Sequence, residues 1–357
     1  MQVNRVTNKL LQNKFLLKSL EKISDHGTSF AAGTSLVLSL TLRTLSINST
    51  PNIDKDNKQY AISNSIASSL VKFGIVEAVA LPIENAVNRI DKNAEKYIKI
   101  STLKTFGPDS RSYKFVTQSI KLSAGLLTAI PKSILTVALI PVIMDKIFKY
   151  NPKKELEKTL EKYPFLNISS HNFFSEQKPL SQKSSEPAFT GGFGAAKTFF
   201  GRMNDKLSQV IGNIISNKKV QSIAKRYEME DEDIYKHMSA LTDVVLTGSA
   251  VYQTNKSDSI KENCKKVLNY NNIISTAVTL FAGYKADDFI KGRTEKFVTK
   301  FKELNKDYKN IDKCIQGIHI VRPAIIFAGI YYALLPIFSI YFADKIDKFV
   351  QKSHAKQ

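Results

Sequence analysis

Cysteine is nearly absent from this chain of 357 residues, with Cys264 and Cys314 the only two. They cannot build a disulfide framework, neither stands in a C-x-x-C or comparable metal-ligand spacing, and a reducing compartment is the simplest setting. The five histidines, His26, His171, His237, His319 and His354, include no i, i+4 pair and no H-E-x-x-H, so metal ligation is not supported. G-x-S-x-G is missing, as are paired carboxylates in an apolar stretch and any Cys–His context. No cofactor is implied, and a non-catalytic protein is expected over an enzyme. No secretory leader is expected either. In MQVNRVTNKLLQNKFLLKSLEKI, Lys and Asn interrupt each apolar run before the roughly seven-residue core of a leader can form.

Acidic residues are the second shortage. Against 52 Lys and Arg stand 32 Asp and Glu, a net charge of +20, which calls for an anionic partner, nucleic acid or an anionic lipid membrane. Lysine supplies most of the excess and is spread along the chain, whereas nucleic-acid readers favour the planar fork of Arg. Lipid is therefore favoured and nucleic acid disfavoured. Residues 1–26 read as a basic amphipathic arm, with Val3, Val6, Leu10, Leu17 and Leu20 near one face and Lys9, Lys14, Lys18 and Lys22 elsewhere. Such an arm suits a membrane surface, a partner helix, or the outside of a soluble bundle.

What the chain has in quantity is apolar sequence bunched into six segments: 27–42, 61–83, 119–144, 239–254, 267–284 and 317–343. Three fall in each half, in the same order. A shift of 195 residues aligns Tyr113-Lys114 with Tyr308-Lys309, Ile120 with Ile315, and Ala138, Leu139 and Pro141 with Ala333, Leu334 and Pro336. Earlier positions match at nearby shifts, Lys58 with Lys265 and Asn64 with Asn271 among them. We read an internal duplication: a first unit over 27–150, a second over 239–357, and between them a flexible linker with basic amphipathic helices over 151–238. The fold class expected is all-α, a polytopic helical membrane protein with two repeated three-segment units.

A membrane helix needs about twenty predominantly apolar residues. Segment 323–343 meets this with no charge, 267–284 comes close, and 27–42 suffices if Arg43 snorkels to the interface. Lys72, Glu77, Lys132 and Asp243 lie inside other segments, each costing roughly 2.5–3.5 kcal/mol at a membrane centre. With Arg322 they are the candidate intramembrane polar residues. They suggest a polar pathway, although Lys72 and Glu77 could pair with each other and the cations beside prolines, Lys132 and Arg322, could snorkel. Mean hydropathy is −0.18, low for a multi-span protein, so a soluble or peripheral helical protein on an anionic membrane surface stays open.

Connectors 84–118 and 285–314 carry seven and nine basic residues, and 44–60 and 255–266 two and four. The first pair, with the arm, is expected to be cytoplasmic. Structural prolines Pro131 and Pro141, and Pro323 and Pro336, are expected to bend each third segment back so that both termini stay inside. The competing layout has all six segments crossing, with inverted halves. Between the units, GGFGAAKT over 191–198 nearly spells a P-loop but has Ala196 at its last glycine and no apolar strand before it. It reads as a turn opening an amphipathic helix with Phe199, Phe200, Met203, Leu207, Val210, Ile211, Ile214 and Ile215 on one face.

The stretches LEKISDHGTSFAAGTSLVLSLTLR, NKQYAISNSIASSLVKFGIVEAVALPIENAV and YQTNKSDSIKEN resemble an uncharacterised group of internally duplicated bacterial multi-pass membrane proteins. The resemblance implies a bacterial inner-membrane setting and supplies no activity. The expectation drawn from the sequence is a membrane-organising or interaction protein, with a protein partner or homo-oligomer. The alternative is a transporter or channel built on the repeat.

Overall fold

The computed structural model describes residues 8–49, 55–147, 193–228, 232–256 and 262–335, and every regular element among them is helical. The linker expected before residue 193, Val3, Val6 and Pro336 lie outside the described residues. Helix α1, Lys14–Asp25, is capped by Asn13, whose side chain accepts from the Phe15 amide. It breaks at His26 into α2, Gly27–Ser49, which passes through a π-helical turn at Ser39–Arg43. Helix α3 is Lys55–Lys92. Two short turns follow, α4 at Ala94–Tyr97 and α5 at Ile100–Leu103. Helix α6, Arg111–Lys146, is capped by Ser110. The amphipathic pair α7, Phe193–Ile215, and α8, Lys218–Tyr227, leads to α9, Ile234–Lys256, and α10, Glu262–Leu304. Helix α11, Ile311–Leu334, ends in a second π-helical turn from Ile330.

Helices α2, α3, α6, α9, α10 and α11 close a ring, each packing on the next and α11 returning to α2. The end where α3 and α10 finish and α6 and α11 begin carries the basic connectors. We call it the basic end and its opposite the distal end. Helices α6 and α9 run the same way: Leu122 packs with Tyr235 near their starts, and Gln253 donates to Ser133 near their ends. Helices α11 and α2 are parallel too, Ile320 lying against Gly27 at one end and the two π-helical turns touching at the other. The two three-helix sets therefore point in the same sense, unlike the competing layout with inverted halves. Folding back by proline is not seen either. Pro131 and Pro141 sit inside one continuous α6, and Pro323 inside α11. A proline removes one backbone bond per site, and the neighbouring helices hold the axis.

Two apolar cores lie at the basic end. Ile90, Phe106, Tyr113, Ile211, Ile215 and Ala224 form one, so α7 and α8 are docked onto α3 and α6. Leu11, Leu17, Leu20, Phe301, Cys314 and Ile318 form the other. The described part of the arm is thus seated on α11 of its own chain. Leu11 takes an inner place while Leu10 stays exposed, because Asn13 breaks the helix and shifts its phase. Phe193 to Ala196 are already helical, so no phosphate loop forms there.

Toward the distal end the pattern inverts. Val37, Leu40 and Leu45 on α2, Leu127, Ile130 and Ile134 on α6, and Ile273, Val278 and Phe281 on α10 are exposed, while Ser39, Ser65, Ser68, Thr247, Ser275 and Thr279 are buried. That is the reverse of a soluble bundle. Three helices are long and apolar enough to cross a membrane: Gly27–Ser49, Ala61–Lys92 and Ile311–Leu334.

Candidate functional site

The polar side chains inside the ring surround a cavity of about 260 Å³, with residues of all six ring helices on its wall. Lys72 from α3, Lys132 from α6 and Asp243 from α9 line it together. These three candidates lie far apart in sequence and converge because each stands at the same height on a helix of the ring. Lys132 is within electrostatic reach of Asp243, and Lys72 of Lys132 and Arg43. Arg43 also lines the cavity and is only 6% exposed. Snorkelling was expected of it at the end of an apolar segment; instead the π-helical turn of α2 carries it inward. Its neighbours there include Tyr331 and Tyr332, from the π-helical turn of α11.

Glu77 stands apart, nearer the basic end, beside Ser29, Glu84 and His26. Arg322 is also separate. Rather than reaching for an interface, it is buried in an ion-pair cluster. Its Nε donates to Asp287 Oδ1 at 2.7 Å and its Nη2 to Asp233 Oδ1 at 2.9 Å. Lys236 lies 3.0 Å from Asp287, and Lys291 2.6 Å from Asp233. With Asp288 the cluster holds three carboxylates and three cations. Burial opposes the charge on Asp233, but the hydrogen bond from Lys291 and the charges of Lys236, Lys291 and Arg322 together hold its carboxyl below its ordinary range.

A second cluster lies across the ring at the same end. Lys121, 2% exposed in its side chain, is 3.6 Å from Asp91 and 3.8 Å from Asp25, and Lys313 is 2.7 Å from Asp25. Glu84, fully buried, accepts from the Thr28 amide at 2.8 Å and the Ser29 hydroxyl at 2.8 Å, with His26 Nδ1 at 3.2 Å. A carboxylate there meets the partial positive charge of the first turn of α2. The two clusters form a floor between the cavity and the basic end. The first cluster sets three cations against three carboxylates, whereas the charged residues on the cavity wall, among the described residues, are Arg43, Lys72, Lys132 and Asp243.

Sequence reasoning did not single out Asp25, Glu84, Asp91, Lys121, Asp233 or Asp287. A signal was there: Asp25 and Asp233, Glu84 and Asp287, and Lys121 and Arg322 recur 208, 203 and 201 residues apart. The Lys58 ammonium donates to the Asn48 carbonyl, as Lys265 does to Asn255. Ser39 meets Ser69 as Thr247 meets Thr276. The shift of 195 fails at the helix starts, since Tyr113 lies within α6 while Tyr308 precedes Asn310, the cap of α11. No group of metal-ligating side chains occurs among the described residues. No family model, curated protein or solved structure matches the chain.

Proposed function

We propose that the protein is a membrane carrier for a small polar solute, built as two parallel three-helix units around the central cavity. The observation that carries the reading is the inside-out ring: apolar outside, hydroxyl-rich and charged inside, and floored at one end by ion pairs. A stably folded soluble bundle has no reason to bury Ser39, Ser65, Ser275, Thr247 and Thr279 around a cavity while exposing Phe281 and Ile130. Alternating access would open the floor and close the distal end. The proposed repeat would extend past the expected units, with α1 the counterpart of α8: Leu17 and Ala224, 207 residues apart, are both buried, one against α11 and the other against α6. In this reading the basic connectors favour a floor that faces the cytoplasm.

Purified protein in proteoliposomes is the test, offered a panel of anionic, neutral and cationic solutes. Uptake of at least one class is expected, and Ser275→Phe, which fills the cavity, abolishes it. A folded protein that moves none of them overturns the reading. Release of the protein from membranes by salt alone would point instead to a peripheral helical protein. The reading as a membrane-organising or interaction protein has its own observation. Val210, Ile214, Ile223 and Tyr227 stay exposed on α7 and α8 among lysines, a surface suited to anionic lipid or a partner helix.

A further inference from the structure

We propose that the basic end of α10 is a seat for anionic phospholipid, with Phe289 at the edge of the hydrocarbon and Arg293, Lys296 and Lys300 against the headgroup. The inference rests on the membrane setting of the reading above and not on transport.

The first observation is a continuous face. Ile274, Val278 and Phe281 are exposed apolar side chains of α10. At 3.6 residues per turn, Lys285, Phe289, Lys296 and Lys300 follow on the same side with Arg293 beside them, all of them exposed. An apolar stripe thus passes into a cationic one around a single ring, and Phe289 is 70% exposed. The Arg293 guanidinium lies over that ring, 5.0 Å from its centroid. Ring and charge together suit a membrane boundary, where one end is apolar and the other wet.

The second is length. Tyr270, also exposed, stands on α10 nineteen residues before Phe289. At 1.5 Å per residue the two lie about 28 Å apart along the axis, close to a hydrocarbon thickness of about 30 Å. The distal end repeats the pairing of ring and cation, since the Lys256 ammonium stands 5.0 Å from the exposed ring of Tyr252. Exposed rings at two such levels are the arrangement of aromatic belts.

The third is a difference between α3 and α10. On α3, Ala86 and Val87 are fully buried, packed with Ile211 and Ile215 of α7. On the proposed duplication, their counterparts at the spacing of Glu84 and Asp287 are Phe289 and Ile290, which stay 70% and 36% exposed. Charge selects the cover for this face. Outside the ion-pair cluster, residues 285–303 carry Lys285, Arg293, Lys296, Lys300 and Lys302 against Glu295 and Glu303. A second copy of the face would set like charges together, whereas an anionic headgroup meets opposite ones.

The test uses the full chain with Cys264→Ser and Cys314→Ser and one bimane-labelled cysteine, Phe289→Cys or Tyr270→Cys. Each protein is reconstituted in phosphatidylcholine vesicles. These hold an equal minor fraction of phosphatidylglycerol or phosphatidylcholine labelled with a nitroxide at the same shallow acyl carbon. Both probes are expected to be quenched. At Phe289→Cys phosphatidylglycerol should associate at least about 5-fold more strongly than phosphatidylcholine, and at Tyr270→Cys the two should be equal. Arg293→Gln with Lys296→Gln should remove most of the preference. Arg293→Lys with Lys296→Arg, which keeps both charges, should retain it, and so should Lys218→Gln with Lys219→Gln on α8. Equal quenching by the two lipids at Phe289→Cys, a preference that survives Arg293→Gln with Lys296→Gln, or quenching at Tyr270→Cys alone overturns the proposal and leaves the membrane setting in place. No quenching at either position sinks the membrane setting with it. A lipid preference without uptake of any solute sinks the carrier reading and leaves the seat standing.

Discussion

Asp287→Ala tests whether the floor is a lock. The Asp287 carboxylate is fully buried and takes two bonds from Arg322, at 2.7 and 3.3 Å, with Lys236 at 3.0 Å. Removing one partner of a buried pair costs about 3–5 kcal/mol, because the other charge is left behind without solvent. The remaining groups soften the loss: Arg322 keeps Asp233 at 2.9 Å, and Lys236 keeps Asp288 at 3.4 Å. We therefore expect the low end, about 3 kcal/mol, which moves the ratio of closed to open floor by roughly 100-fold. Two readouts follow. Denaturant unfolding should show the lost stability, and a cysteine at Ser275, in a protein without its native cysteines, should become reactive to an impermeant maleimide from the basic end. Asp287→Leu with Arg322→Met should recover at least half the stability, as apolar replacement of both partners leaves fewer stranded charges. Asp25→Ala should cost less, since Lys121 keeps Asp91 and Lys313, 2.7 Å from Asp25, is partly exposed and can turn to solvent. A change within about 0.5 kcal/mol and an unreactive Ser275→Cys in the Asp287→Ala background would show that the pair does not hold the floor.

Gly317 permits the close seating of α1, since a Cβ there would stand 2.2 Å from the Leu20 carbonyl oxygen. Gly317→Ala should destabilise by roughly 1–3 kcal/mol and expose α1 to hydrogen exchange, and unchanged protection would refute that packing. Acid should weaken the floor through Asp233. Its carboxyl is held down in the fold, so its contribution is complete above the unfolded value of about 3.9 and is lost as pH falls through the lower folded value. A plot of stability against pH should lose part of its acid limb in Asp233→Asn, and an unaltered limb would contradict the assignment. Sidedness can be read from single cysteines at Ile147 and Lys219 with the native pair replaced by serine. If α6 crosses, Ile147→Cys labels from the distal side and Lys219→Cys from the basic side; labelling of both from one side would mean that α6 does not span.

That last test matters because the parallel sense of α6 and α9 sets a parity problem. Helix α6 ends at the distal end while α7 packs at the basic end through Ile211 and Ile215, and the sequence from 148 to 192 offers no run of about twenty apolar residues. The sequence made the helical class and the six apolar segments readable, since length and periodicity are local properties. Lys72, Lys132 and Asp243 stood out for the same reason, as charges interrupting apolar runs. What local pattern could not convey is which charges face inward at the ends of those runs. Asp25, Glu84 and Asp91 sit among the many lysines of the connectors and look like solvated surface charges; only closure of the ring buries Glu84 and sets Lys121 between Asp25 and Asp91. Arg322 and Arg43 were misjudged together, because a cation near the end of a membrane segment has two destinations, and tertiary packing chooses between them.

On the proposed duplication, the differences between the two three-helix sets mark where function would lie. The contact between α6 and α9 brings Lys132 to Asp243, while its counterpart between α11 and α2 brings Tyr332 to Ser35, 200 and 208 residues removed. Lys72 corresponds to Thr279 and Arg43 to Val251 at the spacings that relate Ser69 to Thr276 and Ser39 to Thr247. Each cation of the cavity therefore lies in the first unit and faces a neutral residue in the second. A two-fold frame with equal charges would repel itself at the axis and offer two equivalent half-sites. On the carrier reading, the cations of the cavity lie on α2, α3 and α6 while an ion-pair cluster stands at the basic end of each three-helix set, an arrangement that a rocking motion of two halves would need.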